Sequence, residues 1–168
     1  MLTQTMRMLR NCYTVSTLQK NVIPEVIDAK NVPKYIPQIS EGRVISVYDG
    51  DTIHIVGFVV NNPQLFKFSV RLNGIDCPEM KSGKSLDKTE KDIAIIAKSF
   101  LSEINNKVVT LRNVGLDKYG RLLADVYFQE RHLNKEMIDK RLAVKYDGGK
   151  KIVPACWETY HRTGKLSI

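Results

Sequence analysis

Residues 66–73 alternate without a break. Phe66, Phe68, Val70 and Leu72 fall on one side of an extended chain, and Lys67, Ser69, Arg71 and Asn73 fall on the other. Successive side chains of a strand point to opposite faces, so this stretch reads as a half-buried strand and not as a helix. The same alternation puts Arg71 on the face away from the apolar row, where it can reach a ligand. Two β-branched runs come before it, Arg43–Val47 and Thr52–Val56, joined by YDGD, whose Asp-Gly pair is a hairpin signal. Residues 57–64, with NNP inside, read as a loop or bulged connection. After the alternation comes GIDCPE, where Pro78 blocks a ladder hydrogen bond and ends the strand. Arg43–Glu79 therefore sets four carboxylates, Asp49, Asp51, Asp76 and Glu79, together with Arg71, on and beside three short strands. Carboxylates can hold a metal and arginines a phosphate, which together suggest phosphodiester hydrolysis.

The remaining pattern is mixed. Residues 81–87, KSGKSLD, read as a polar loop. A helix is expected over Thr89 to about Glu103, with Ile93, Ala97, Phe100 and Ile104 at helical spacing and Ile96 and Leu101 widening the stripe. Asp87 or Thr89 is placed to cap its start, and Asn105-Asn106 to end it. Strands follow at Val108–Arg112 and Leu123–Phe128, separated by GLDKYGR. A short helix is expected near Asn134–Lys140, and Trp157 and Tyr160 in the tail mark another. The expected fold is α+β, mainly β: a five-stranded OB-type Greek-key barrel with about three packed helices. Pro24, Pro33 and Pro37 break the chain before Gly42, so residues 1–41 read as an irregular N-terminal arm. Residues 42–150 form the domain, and 151–168 a C-terminal tail.

The chain has 168 residues, 43% of them hydrophobic, which is enough for one domain with its own core. Its net charge of +8 favours a polyanionic partner, nucleic acid being the commonest. No apolar run approaches the roughly 18 residues of a membrane span. Cys12, Cys77 and Cys156 are odd in number, widely spaced and without a zinc pattern, which fits reduced thiols in an intracellular compartment, cytoplasmic or nuclear. Residues 1–24 carry Arg7, Arg10 and Lys20 and no acid, so a mobile basic arm and an organelle-targeting segment both stay open.

Three clusters carry candidate chemistry, each with a plainer reading. Asp49 and Asp51 could hold a cation between them, or could simply form a hairpin turn. Asp76 and Glu79 project from a strand end, as polar residues there often do. In DKYGR (117–121), Tyr119-Gly120 reads as a tight turn, and Arg121 could hold two phosphate oxygens or lie on the surface. Taken together and in order, YDGDT, VRLNGIDCPE and DKYGR resemble the site pattern of the staphylococcal nuclease family over roughly residues 42–147. That resemblance implies an OB barrel and a calcium-dependent endonuclease acting on DNA and/or RNA, single strands preferred, leaving 3′-phosphate and 5′-hydroxyl ends. It implies Asp51, Asp76 and the backbone carbonyl of Cys77 as Ca2+ ligands, with Asp49 in support. It implies Glu79 orienting or deprotonating the attacking water, Arg71 and Arg121 clamping the scissile phosphate, and Lys118 and Tyr119 meeting a neighbouring phosphate. The family's late phosphate-contacting tyrosine has no counterpart in register, although Tyr146 is near, and the loop after the second strand is longer. A monomer is expected. The rival reading is a catalytically silent OB-fold module that binds nucleic acid or protein; against it, Asp51, Asp76, Glu79, Arg71 and Arg121 are all present. His54, His132 and His161 belong to no motif and are read as structural or surface residues.

Overall fold

The alternating stretch forms β3 (Leu65–Leu72), which pairs antiparallel with β2 (Thr52–Phe58), itself antiparallel to β1 (Glu41–Val47). The computed structural model describes residues 22–80 and 88–167. The basic stretch with Arg7, Arg10, Cys12 and Lys20, and the loop with Asp87, lie outside them. The chain divides into two compact units, Met1–Lys34 and Tyr35–Ile168. In the first, Asp28 closes a turn, accepting hydrogen bonds from the Lys30 amide and the Asn31 side chain. The second holds every element that follows.

Two more long strands complete the sheet. β5 (Val108–Leu116) lies beside β1, and β6 (Leu122–Phe128) lies beside β5. β6 also pairs parallel with β3, Val70 opposite Leu122 and Leu72 opposite Ala124, which closes five strands into an OB-type barrel. Closure needs curvature. β1 is irregular between Val44 and Ser46, and β5 between Arg112 and Gly115, where Asn113 takes a positive φ of 52°. β5 therefore runs four residues beyond the expected Arg112, through its bulge. Inward-facing Val44, Ile53, Ile55, Val70, Leu72, Val109, Ala124 and Val126 fill the barrel.

Short pieces surround it: β4 (Ile75–Asp76), β7 (Arg131–His132), β8 (Val144–Lys145), α1 (Lys88–Ser102), α2 (Leu133–Asp139) and α3 (Trp157–Thr163). α1 buries Ile93, Ala94, Ala97 and Leu101, with Ile104 just beyond it. Ile96, expected on that stripe, is 44% exposed, and Phe100 sits at the edge under the Arg131 guanidinium. The helix stops before Asn106, which takes φ 62°, and the chain then bonds to Val44 through the Asn106 amide and the Lys107 carbonyl. Asn134 of α2 is buried and satisfied, accepting from the Val126 amide and donating to the carbonyls of Asn73 and Ala124. It ties the end of β3 to β6 and so fixes the path from Arg71 to Asp76. Trp157 and Tyr160 of α3 pack edge to face, Trp157 within the core. Among the described residues no helix is long and apolar enough to cross a membrane.

Candidate active site

Pairing register builds the site. Thr52 lies opposite Arg71, and the Leu72 amide donates to the Asp51 carbonyl at 2.8 Å, so the turn before β2 is locked to the end of β3. Asp51 then points inward. It is 4% exposed, accepts the Thr52 hydroxyl at 2.9 Å and the Cys77 amide at 3.3 Å, and receives Arg71 Nη1 at 2.6 Å. The other terminal nitrogen of Arg71 reaches Asp76 Oδ1 at 2.7 Å. One guanidinium fork thus bridges two buried aspartates that lie 25 residues apart in sequence. Asp49 stays at the turn, its carboxylate accepting the Asp51 amide at 3.1 Å.

Gly50 is needed here for space. It does not use the left-handed region; instead, a Cβ on it would stand 2.9 Å from Ala97 Cβ and 3.0 Å from both Cβ and Sγ of Cys77. The turn is pressed against α1 and the strand end that carries Asp76. Burial, reinforced by Asp49 and opposed by Arg71, pushes the Asp51 carboxyl up to about 7. Burial and the charges of Asp51, Asp49 and Asp76 push the Cys77 thiol far above its ordinary range, which makes it a poor nucleophile.

A further residue joins this group from far along the chain. β4 pairs with β8, Asp76 opposite Val144, and the Tyr146 amide donates to the Gly74 carbonyl at 3.0 Å. Residues 146–151 are thereby led past the carboxylates. Lys151 Nζ lies 3.0 Å from Asp76 Oδ1 and 3.3 Å from Glu79 Oε1. Burial works against its charge, but its bonds to Asp76 and Glu79 hold it above the ordinary lysine range. Sequence reading missed it, because the Gly/Lys-rich stretch around it has no period and reads as the end of the domain. The backbone pairing that places it is carried by two residues on each strand.

DKYGR makes a self-contained turn. Asp117 accepts the amides of Tyr119 and Arg121 at 2.8 and 2.9 Å and pairs with Arg121 Nε at 2.6 Å. Gly120 has φ 83°, which a glycine adopts without strain. Lys118 and Arg121 both lie by the face of the Tyr119 ring.

These parts converge on one open cleft of about 880 Å³. Tyr48, Asp49, Arg71, Glu79, Lys118, Tyr119, Arg121, Tyr146 and Lys151 all line it. Asp51 and Asp76 lie buried and joined to it through Arg71. Tyr146 enters through β8 despite its shifted register. The histidines stay outside this cleft. His54 bonds Ser46 at 3.0 Å, His132 stacks on Tyr127 with ring centroids 4.5 Å apart, and His161 meets the Arg141 carbonyl.

Carboxylate oxygens are the donors that a hard divalent cation takes. The four carboxyl groups Asp49, Asp51, Asp76 and Glu79 outnumber the two cations Arg71 and Lys151 beside them, and a further cation would relieve the raised Asp51 carboxyl. Among the described residues no three or more His, Cys, Asp or Glu side chains converge to hold a metal ion. Such a cation would therefore draw on Asp51 and Asp76 and complete its shell with backbone and water oxygens, as hard cations do.

The chain is similar to known proteins. Residues 69–159 match the staphylococcal nuclease homologue family. An uncharacterized endonuclease of Haemophilus influenzae is 33% identical over 106 residues, covering 62% of this chain and 51% of that protein. Endonuclease Htp3 of Saprolegnia parasitica is 32% identical over 97 residues, covering 52% and 44%. Staphylococcal-like nuclease CAN1 of Arabidopsis thaliana is 29% identical over 105 residues, covering 61% and 29%. The match spans about half or less of the length of these three relatives.

Proposed function

This chain belongs to the staphylococcal nuclease homologue family, and from that premise we propose that it is a calcium-dependent endonuclease of DNA and/or RNA. It hydrolyses the phosphodiester bond to 3′-phosphate and 5′-hydroxyl ends, single strands being the better substrate. The observation that supports this reading is the convergence of Arg71, Glu79, Lys118, Tyr119 and Arg121 on one cleft above the Asp51–Asp76 pair.

Each residue has a task set by its surroundings. Glu79 is exposed at the lip of the cleft, where Lys151 holds its carboxylate. It takes a proton from the attacking water, worth about 10²–10⁴-fold. The water oxygen bonds to phosphorus as the P–O5′ bond breaks, and the 5′-oxygen leaves and takes a proton from solvent. Arg121, its Nε anchored by Asp117, presents its terminal nitrogens to the non-bridging oxygens. Arg71 reaches the phosphate only once its terminal nitrogens give up Asp51 and Asp76. Lys118 and Tyr119 meet a neighbouring phosphate and base, and an aromatic ring on an open barrel favours splayed single strands. Asp51, Asp76 and the Cys77 carbonyl would hold the calcium ion, with Asp49 supporting them from the turn. When bound, calcium supplies Lewis-acid stabilisation of charge on the phosphate.

The test is cleavage of a single-stranded oligonucleotide with calcium, magnesium or chelator, followed by end-group analysis. Cleavage in calcium that stops in chelator and leaves 3′-phosphates is expected. Chelator-insensitive cleavage or 5′-phosphate products would overturn the proposed chemistry.

A further inference from the structure

A second cavity, of about 350 Å³, adjoins the cleft on the other side of the Asp49–Glu79 lip. Ser46, Val47, Tyr48, Asp49, His54, Glu79, Met80 and Lys98 line it. Its volume lies at the lower end of the roughly 300–1,000 Å³ of small-ligand pockets. Tyr48, Asp49 and Glu79 line both cavities, so the two lie next to each other across these residues.

We propose that this cavity is a second nucleotide subsite, which takes the nucleoside on the 3′-oxygen side of the scissile phosphate. The proposal rests on the nuclease reading above and deepens it.

Three observations carry it. The first is the direction of the reaction. In an in-line displacement the attacking and leaving oxygens lie on opposite sides of phosphorus. With the water at Glu79, the departing 5′-oxygen and its nucleoside lie toward Lys118 and Tyr119. The 3′-oxygen is equatorial, so the nucleoside that keeps the phosphate leaves the line of attack sideways, and this cavity is open space next to Glu79 that does not include Lys118 or Tyr119. The second is the charge of its lining. Asp49 and Glu79 at the mouth repel a phosphate but accept hydrogen bonds from a base or sugar, while Lys98 supplies a cation for the next phosphate upstream. The third is the aromatic surface. Tyr48 is 63% exposed on its turn, although the turn itself is fixed by the Tyr48 amide donating to the Thr52 carbonyl at 2.9 Å. His54 lies 6.1 Å from the Tyr48 ring, tilted by 59°, and is held by Ser46. An exposed ring on a fixed turn beside a second ring is a stacking platform that any base can use.

The test compares the dinucleotide TpT with the methyl ester of thymidine 5′-phosphate, in which a methyl group replaces the upstream nucleoside. Tyr48→Ala should raise KM for TpT by roughly 5- to 100-fold, the size of one lost base–aromatic stack. The loss should be several-fold larger for TpT than for the methyl ester, and Tyr48→Phe, which keeps the ring, should restore it. Equal effects on both substrates, or none on either, would overturn the subsite. NMR titration of the intact chain gives a second readout that needs no cleavage. Shifts at Tyr48 and His54 with TpT but not with the methyl ester are expected, and the same shifts with both would overturn the proposal. A chain that cleaves neither substrate yet shows the TpT-specific shifts would contradict the nuclease reading and leave the subsite standing.

Discussion

The turns at 48–52 and 117–121 each carry a glycine and an aspartate that pairs with an arginine, and they are built in opposite ways. In the first, Gly50 is required by close packing against Ala97 and Cys77, and Arg71 arrives by strand pairing from 20 residues away. In the second, Gly120 is required by its positive φ in open space, and Asp117 and Arg121 are four residues apart. Their carboxylates diverge in consequence. Burial holds Asp51 up to about 7. Burial also works against the charge of Asp117, but hydrogen bonds from Arg121 and the Tyr119 amide hold it below its ordinary range. The first turn is a product of the whole fold, whereas the second assembles from its own five residues. A cleft lined by both combines a buried charge cluster with an arginine held by a local turn.

Stability should show this contrast most strongly. Arg71→Ala leaves two buried aspartates without their shared cation and is expected to cost about 3–5 kcal/mol in urea unfolding. Arg121→Ala removes a partly exposed local pair and should cost about 1 kcal/mol or less. Equal costs would break the comparison.

The pH dependence should run in opposite directions. Asp51 has a folded pKa of about 7 against an ordinary 3.8, so its contribution is full below about pH 3.8 and is lost as pH rises toward 7. The Asp117 contribution is present above its ordinary pKa and is lost as pH falls through its lowered value. Unfolding curves measured across pH 3–8 should therefore flatten on the alkaline side in Asp51→Asn and on the acid side in Asp117→Asn.

Glycine replacement sharpens the comparison further. Gly50→Ala should cost about 1–3 kcal/mol through overpacking, and Gly50→Asn at least as much. Gly120→Ala should cost about 1–2 kcal/mol through backbone strain, while Gly120→Asn, which tolerates the left-handed region, should cost less. Thermal unfolding of the four variants distinguishes space from backbone conformation. The smallest structural effect is expected at Lys151. Lys151→Ala should leave stability within about 1 kcal/mol and lower kcat/KM by about tenfold, because it positions Glu79. An unchanged kcat/KM would remove Lys151 from the site.

Legibility in the sequence followed the same division. The strict alternation of residues 66–73 gave β3 and the side of Arg71, and DKYGR predicted a turn that forms from its own hydrogen bonds. Asp-Gly marked the first turn correctly, but for a reason the sequence does not contain, since only the packed fold brings Ala97 and Cys77 against Gly50. Ile96 fits the apolar stripe of α1 by spacing, yet the barrel covers a narrower face and leaves it exposed. Lys151 and Tyr146 owe their places to the two-residue pairing of β4 with β8, which is too short to leave a period. Tyr48 was read only as part of a turn, because its role depends on which cavities open on either side of it.

The central claim is that Glu79 does chemistry at a site whose other residues bind. The most direct measurement is single-turnover cleavage of a single-stranded oligonucleotide by wild type and Glu79→Gln in calcium, with oligonucleotide affinity measured on the same proteins. A fall in the cleavage rate of about 10²–10⁴-fold with affinity nearly unchanged is the predicted result. Cleavage by Glu79→Gln at the wild-type rate would contradict the account.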